Sequence, residues 1–176
     1  TIPEGISFIQ AAASAEGAHY AINFINKVDI QPTHKVLVNG ASGAIGSAMV
    51  QLLKARGVYV TAVSSPDSLS QIQATGVDKL MDYTQTDFTQ DPERYHFVFD
   101  AVGKSTFARC KPLLLPGGVY CSSELGPGWQ NPFLALITPW LGGKKVIFPI
   151  PSRIDESLKL VRTLLEKGQF KPLIDR

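Results

Sequence analysis

Val36-Leu37-Val38-Asn39-Gly40-Ala41-Ser42-Gly43-Ala44-Ile45-Gly46 decides the fold. An apolar strand runs into a glycine turn, and a helix starts at once. Ile45, Ala48, Met49, Leu52 and Leu53 recur at i, i+3, i+4, i+7 and i+8, which is one face of a helix. Gly57 follows, the residue type that tolerates the left-handed C′ position. Val58 to Val63 reads as a second strand. In such a β-turn-α-β unit the first helical amides lack partners, and the helix dipole favours an anion beside them. The spacing Ala41-x-Gly43-x-x-Gly46 matches the dinucleotide fingerprint with alanine in its first slot. Gly43 takes the position where a phosphate approaches the backbone, and Gly46 the position where helix packs on strand.

Other phosphate motifs fail on spacing. The short-chain dehydrogenase turn needs glycine where Ala44 stands, and no tyrosine is followed by lysine four residues on. Gly103-Lys104-Ser105 resembles the end of a P-loop, but Val98 occupies the required first glycine.

Reading outward, Gly5 to Lys27 is one or two helices with Ile6, Ile9, Ala13, Tyr20 and Phe24 inward. Ser64 to Ser68 turns into a helix ending near Gly76. Lys79 to Asp82 is a third strand, and a polar stretch from Thr84 to Arg94 follows. His96 to Asp100 is a fourth strand, buried on both faces. A short helix covers Lys104 to Leu113. Gly117-Gly118 opens a fifth strand, Val119 to Ser123. A Gly-, Pro- and aromatic-rich loop spans Gly126 to Gly143. Lys144 to Phe148 is a sixth strand. Ser152-x-x-Asp155 opens a last helix with Leu158, Val161, Leu164 and Leu165 inward. This alternation predicts an α/β fold, a doubly wound parallel six-stranded sheet of order 3-2-1-4-5-6: a Rossmann fold in a single domain. Residues 1–30 form a helical segment on the core, and 31–176 the nucleotide-binding unit.

A chain of 176 residues with net charge +2 gives no reason to expect nucleic acid or an anionic membrane as partner. Cys110 and Cys121 fit reduced core thiols of a cytoplasmic protein, not a disulfide scaffold. Phe133 to Leu141 is too short, and carries Pro139, to span a bilayer. The chain starts at Thr1 in mid-pattern, so a piece of a longer polypeptide is expected.

With these elements placed, the sequence resembles the nucleotide-binding domain of the medium-chain dehydrogenase/reductase superfamily, in its zinc-free quinone-oxidoreductase-like branch. The resemblance is carried by AAASAEGAHYAI, VLVNGASGAIGSAMVQLLKARGVYVTAVSS, GVDKLMDYTQTDF, FVFDAVGKSTF, LLLPGGVYCSSELG and GGKKVIFPIP. It implies an oxidoreductase that moves hydride between NADP and a carbonyl, enone, quinone or alcohol substrate. It also implies a GroES-like catalytic domain outside this chain, so that the chain alone turns over no substrate. A non-catalytic nucleotide-sensing domain is the alternative. The resemblance places Ala41, Ser42, Gly43, Ala44, Ile45 and Gly46 at the pyrophosphate. It places Ser64, Ser65 and Tyr83 at the adenosine ribose and its 2′-phosphate. Asp100, Ala101, Val102 and Gly103 lie along the nicotinamide ribose, with Ser122 and Ser123 near the nicotinamide. Many NADPH-using relatives carry a cation where Ser68 stands, so NADPH is expected to be preferred over NADH only modestly.

Plainer roles stand beside these. The serines make a turn, Tyr83 ends a strand, and Asp100 caps the next helix. His19, His34 and His96 follow no ligand spacing and read as surface or turn residues; no metal site is expected, zinc included. Trp129, Phe133 and Trp140 line a pocket or a partner surface, or belong to an apolar loop tucked on the core. A homodimer is expected through the edge strand Lys144 to Phe148.

Overall fold

Alternate residues of strands buried on both sides build two apolar layers, one on each face of a sheet. The computed structural model describes residues 2–174. Its elements are α1 (Phe8–Ile25), β1 (Lys35–Asn39), α2 (Ala44–Lys54), β2 (Tyr59–Ser64), α3 (Leu69–Gln73), β3 (Lys79–Asp82), β4 (Tyr95–Asp100), α4 (Phe107–Cys110), β5 (Leu114–Ser122), α5 (Gln130–Leu141), β6 (Lys145–Ile147) and α6 (Ile154–Glu166). The strands are all parallel, in the order β3-β2-β1-β4-β5-β6. This is the predicted doubly wound order.

Val36, Val38, Phe97 and Phe99 point to one face, where they meet α1, α2 and α6 through Phe24, Met49, Leu53 and Val161. Leu37 and Val98 point to the other, with Phe88, Phe107, Leu113 and Tyr120. Two crossovers leave β1 and β4 side by side, so the chain reverses direction above their C-terminal ends. Open α/β sheets keep their ligand crevice there.

Several elements depart from the sequence reading. Gln130–Leu141 is a helix rather than a loop. Its inward stripe is buried Asn131 and Thr138 with half-buried Leu134 and Ala135, two polar residues among two apolar ones, which hides the helical period. Pro132 sits in the first turn, where no intrahelical N–H is lost. Thr138 Oγ1 accepts from Val146 N at 2.9 Å and so ties α5 to β6. Trp129, Phe133, Leu136 and Trp140 face outward instead of tucking on the core. The sixth strand is only Lys145–Ile147, and Phe148 lies beyond it. Strand β5 starts earlier, at Leu114, with an irregularity opposite β4, so Gly117 and Gly118 lie inside it. Helix α4 is a single turn capped by Thr106.

The two ends of the chain also differ. Ile9 and Leu158 are exposed; the buried part of α1 is Ser14, Gly17 to His19 and Ala21 to Ile25. Small residues explain this. A Cβ on Gly17 would lie 2.5 Å from Ala44 O, so α1 crosses closely over the start of α2. Helix α6 has no Ser152 cap: Ser152 N donates to Asn23 Oδ1 at 2.9 Å, and Arg153 takes the cap position at φ 54°. Asp175 and Arg176, part of the expected return to a further domain, lie outside the described residues. His34 closes the turn from Gln31, as expected, and stacks on His96 at 4.3 Å between ring centroids, whereas His19 is buried in α1. Burial, reinforced by His34, holds the His96 imidazole below its ordinary value.

The stretch between β3 and β4 is fixed by a buried polar cluster. Lys79 Nζ lies 2.8 Å from both Asp91 oxygens, and Tyr95 OH donates to Asp91 Oδ2 at 2.6 Å. Burial and Asp91 together push the Tyr95 phenol up. Thr61 Oγ1 on β2 hydrogen-bonds the same phenol oxygen at 3.1 Å.

Candidate active site: a crevice above β1, β2 and β4

Gly40 turns the chain at φ 81°, with its own amide and that of Ala41 donating to Val63 O at 3.1 and 2.9 Å. The turn closes through Gly43 N to Gly40 O at 3.1 Å. Gly43 then takes the N-cap position of α2, in extended conformation and without a side-chain cap. The amides of the first helical turn therefore face outward with no intrahelical acceptor.

The glycines of this turn have different causes. A Cβ on Gly46 would lie 2.1 Å from Gly40 O, so the protein itself demands glycine there. A Cβ on Gly40 would lie 2.3 Å from Val102 Cγ1. At Gly43 the nearest atom would be 3.5 Å away and φ is −73°. Neither packing nor backbone strain requires glycine at 43. Space beside the uncapped helix start is what its missing side chain provides, and a dinucleotide pyrophosphate fits that space and that dipole.

A cavity of about 790 Å³ opens beside this turn. Of the expected residues, Ser42, Ser64, Ser65, Tyr83 and Val102 line it. Tyr83 is 59% exposed, and its amide donates to Ser64 O at 3.3 Å, so β3 hands it to the cavity edge. Ser65 Oγ bonds Ser68 Oγ at 3.2 Å. No carboxylate ends β2. Ala41, Gly43, Ala44, Ile45, Gly46, Asp100, Ala101, Gly103, Ser122 and Ser123 are not in the lining of this cavity; Ala41 and Asp100 are fully buried.

Asp100 is not the cap of α4. Its Oδ1 accepts from Asn39 Nδ2 at 2.9 Å, and its Oδ2 from Ser105 N at 2.9 Å and Tyr120 OH at 3.1 Å. The carboxylate thus ties the ends of β1, β4 and β5 to the turn that follows. Ser122 Oγ accepts from Glu124 N at 3.2 Å, and Ser123 Oγ is buried without a partner.

Sequence reasoning missed part of the wall. Thr84 to Phe88, Lys104 and Arg109 line the same cavity. Arg109 Nη2 reaches Asp87 Oδ2 at 3.1 Å across its mouth. The Thr89 hydroxyl and amide, with Arg109, hold the Asp87 carboxyl below its ordinary value. In the sequence Lys104 reads as the tail of a failed P-loop and the start of a short helix.

Residues 75–176 match the zinc-binding dehydrogenase family. The chain belongs to that family, and it is the nucleotide-binding domain of a medium-chain dehydrogenase/reductase. A 2-methylene-furan-3-one reductase of Solanum lycopersicum is 28% identical over 98% of this domain and 41% of its own length. An NADPH-dependent alkenal/one oxidoreductase of Arabidopsis thaliana is 26% identical over the same shares. The dehydrogenase domain thus spans about half the length, or less, of these curated relatives. A quinone oxidoreductase from Coxiella burnetii shares its fold, with TM-score 0.81 at 20% identity over 95% of this domain and 52% of that chain. Among the described residues no cluster of three or more His, Cys, Asp or Glu is placed to hold a metal. No described helix is long and apolar enough to cross a membrane.

Proposed function

We propose that this domain binds a nicotinamide dinucleotide, NADPH ahead of NADH, for an oxidoreductase acting on a carbonyl, enone, quinone or alcohol. One observation carries the reading: α2 starts uncapped at Gly43, whose missing side chain nothing in the protein explains, beside a hydroxyl-lined cavity at the reversal of the sheet. The names of the two plant relatives agree with it. Amides of Ala44, Ile45 and Gly46 hold the pyrophosphate, with Ser42 beside them. Ser64, Ser65 and Tyr83 receive the adenosine ribose, where an acid ending β2 would repel a 2′-phosphate. The backbone of Asp100 to Gly103, and Ser122 and Ser123 at the end of β5, flank the second ribose and the nicotinamide. Bound nicotinamide supplies or accepts the hydride. A GroES-like domain outside these residues supplies the opposite wall of the substrate cleft.

The chain contributes no zinc ligand in this reading. Burial pushes the Cys110 thiol up to about 11, and Cys121 is pushed up as well, whereas zinc binds thiolate. Calorimetric titration of the 176-residue chain is expected to show both nucleotides binding, NADPH roughly tenfold tighter, a difference of about 1.4 kcal/mol. Tighter NADH binding overturns the preference, and binding of neither overturns the function. Stoichiometric zinc by elemental analysis of the same unchelated preparation overturns the statement on metal.

We further propose a homodimer through the β6 edge. The strand is the last of the sheet at Lys145–Ile147, with Val146 N taken by Thr138 Oγ1, and α5 beside it exposes Trp129, Phe133, Leu136 and Trp140. Large exposed apolar patches mark interaction sites, and an open edge invites pairing. Light scattering at micromolar concentration is expected to give a dimer, and Ile147→Pro, which disrupts the edge strand, a monomer. A monomeric parent, or a dimer indifferent to Ile147→Pro, sinks this arrangement.

A further inference from the structure

We propose that Lys104 sets cofactor specificity: its ammonium supplies, from the turn between β4 and α4, the cation for a ribose 2′-phosphate that the turn after β2 lacks. The inference rests on reading this cavity as a nicotinamide dinucleotide site. Between Ser64 and Thr75 the only charged residue is Asp67, so that wall offers a phosphate hydroxyls but no positive charge. Hydroxyls orient a phosphate; a nearby cation adds the stronger, charge-assisted contact.

Among the described residues, three side chains lining the cavity carry charge: Asp87, Lys104 and Arg109. Arg109 is committed to Asp87 by contacts of 3.1 and 3.3 Å. That pair also stops the Asp87 carboxylate from facing the cavity as a bare negative charge. Lys104 is exposed and makes no hydrogen bond or ion pair with any described residue. Glu124 packs against Gly103 and forms no ion pair with Lys104. Among the described residues the walls therefore carry one unspent positive charge, and it belongs to Lys104.

The backbone puts this lysine in place. Val102 presses on the glycine turn, as the 2.3 Å approach to a Cβ on Gly40 records. Gly103 then turns at φ 62°, and Ser105 N is pinned to Asp100. Lys104 is thus held between two fixed points on the β4 side of the crevice, opposite the serines of β2. Its stem is free to swing and its root is not. A phosphate seated by Ser64 and Ser65 gains charge neutralisation from across the cavity, and a nucleotide lacking that phosphate gains none.

The test is a titration of the 176-residue chain and of its Lys104→Gln and Lys104→Arg variants with NADPH, NADH and adenosine 2′,5′-bisphosphate, each at low and high salt. For Lys104→Gln, NADPH and the bisphosphate are expected to bind about tenfold more weakly, with a shallower salt dependence, and NADH within about twofold of the parent. Lys104→Arg is expected to keep most of the preference. If Lys104→Gln weakens NADPH and NADH alike, or neither, the specificity role falls while the nucleotide site stands. If the parent chain binds none of the three, the underlying reading falls and this inference with it.

Discussion

Gly43→Ala is expected to leave the domain folded and to strip it of its nucleotide, whereas Gly46→Ala, three residues on, is expected to damage the fold itself. Both positions belong to one fingerprint, yet the protein needs them for different reasons. At Gly43 an added Cβ meets nothing nearer than 3.5 Å, and the backbone is in an ordinary region. Alanine caps a helix less well than glycine but also restricts the unfolded chain, so the net change in stability is expected to stay within about 1 kcal/mol. The new methyl occupies the space beside the unpaired amides, and both NADPH and NADH are expected to bind at least roughly tenfold more weakly. At Gly46 the added Cβ falls 2.1 Å from Gly40 O and 2.9 Å from Ala41 Cα. Backbone cannot step aside as a side chain does, so overpacking there is expected to cost about 3 kcal/mol, the upper end of its usual range. For a domain of this size that lowers the melting temperature by about 6–12 °C. Thermal melts beside titrations separate the two effects. A Gly43→Ala variant with parental affinity means the pyrophosphate does not lie over that residue. A Gly46→Ala variant with a parental melt means α2 has room to move off the turn.

This division was only half legible in the sequence. The turn, α2 and the strand order could be read because each rests on local chemistry: Gly40 turns left-handed, Ile45 to Leu53 repeat on one helical face, and Val and Phe runs mark strands buried on both faces. Lys79 to Asp82 was delimited to the residue because Gly76 and Tyr83 bound it. The hidden parts depend on tertiary contacts. Helix α5 buries Asn131 and Thr138 beside Leu134 and Ala135, so its inward stripe reads as mixed, and its outward face carries the aromatics that suggested a covered loop. Helix α1 buries its small residues because Gly17 lets α2 approach; hydrophobicity alone pointed to Ile9 instead. At the site, the backbone cradle was visible as spacing. The charged wall was not, because Asp87 lies 17 residues before Lys104 and 22 before Arg109 and meets them only when β4 comes to lie beside β1. A lysine after a glycine carries no signal until the fold shows which cavity it lines.

Asp100 shows how closely the fold and the cavity depend on each other, and its removal is expected to have the larger energetic effect. The carboxylate has no exposed surface and accepts from Asn39, Ser105 and Tyr120, all at 2.9 to 3.1 Å. Asp100→Ala leaves three donors without an acceptor inside the protein. An orphaned buried donor costs about 1–3 kcal/mol, and partial relaxation keeps the sum below simple addition, so a loss of about 3–5 kcal/mol is expected. Against a typical total of about 5–15 kcal/mol, that is a large share of the stability. Asp100→Asn keeps the shape and one acceptor oxygen. It is expected to recover about half of the loss, because its amide group donates to Tyr120 OH but cannot accept from Ser105 N. Urea denaturation of the three proteins measures both numbers. The consequence reaches the site through Ser105, whose amide holds the turn that aims Val102 and Lys104 at the cavity. Asp100→Asn, still folded, is therefore expected to bind NADPH more weakly than the parent although its residue 100 side chain is buried away from the cavity. If Asp100→Ala melts within about 1 kcal/mol of the parent, the three contacts are not coupled to folding as described. If Asp100→Asn loses stability and no affinity, the turn after β4 is held by other contacts, and the cavity wall is independent of the strand ends beneath it.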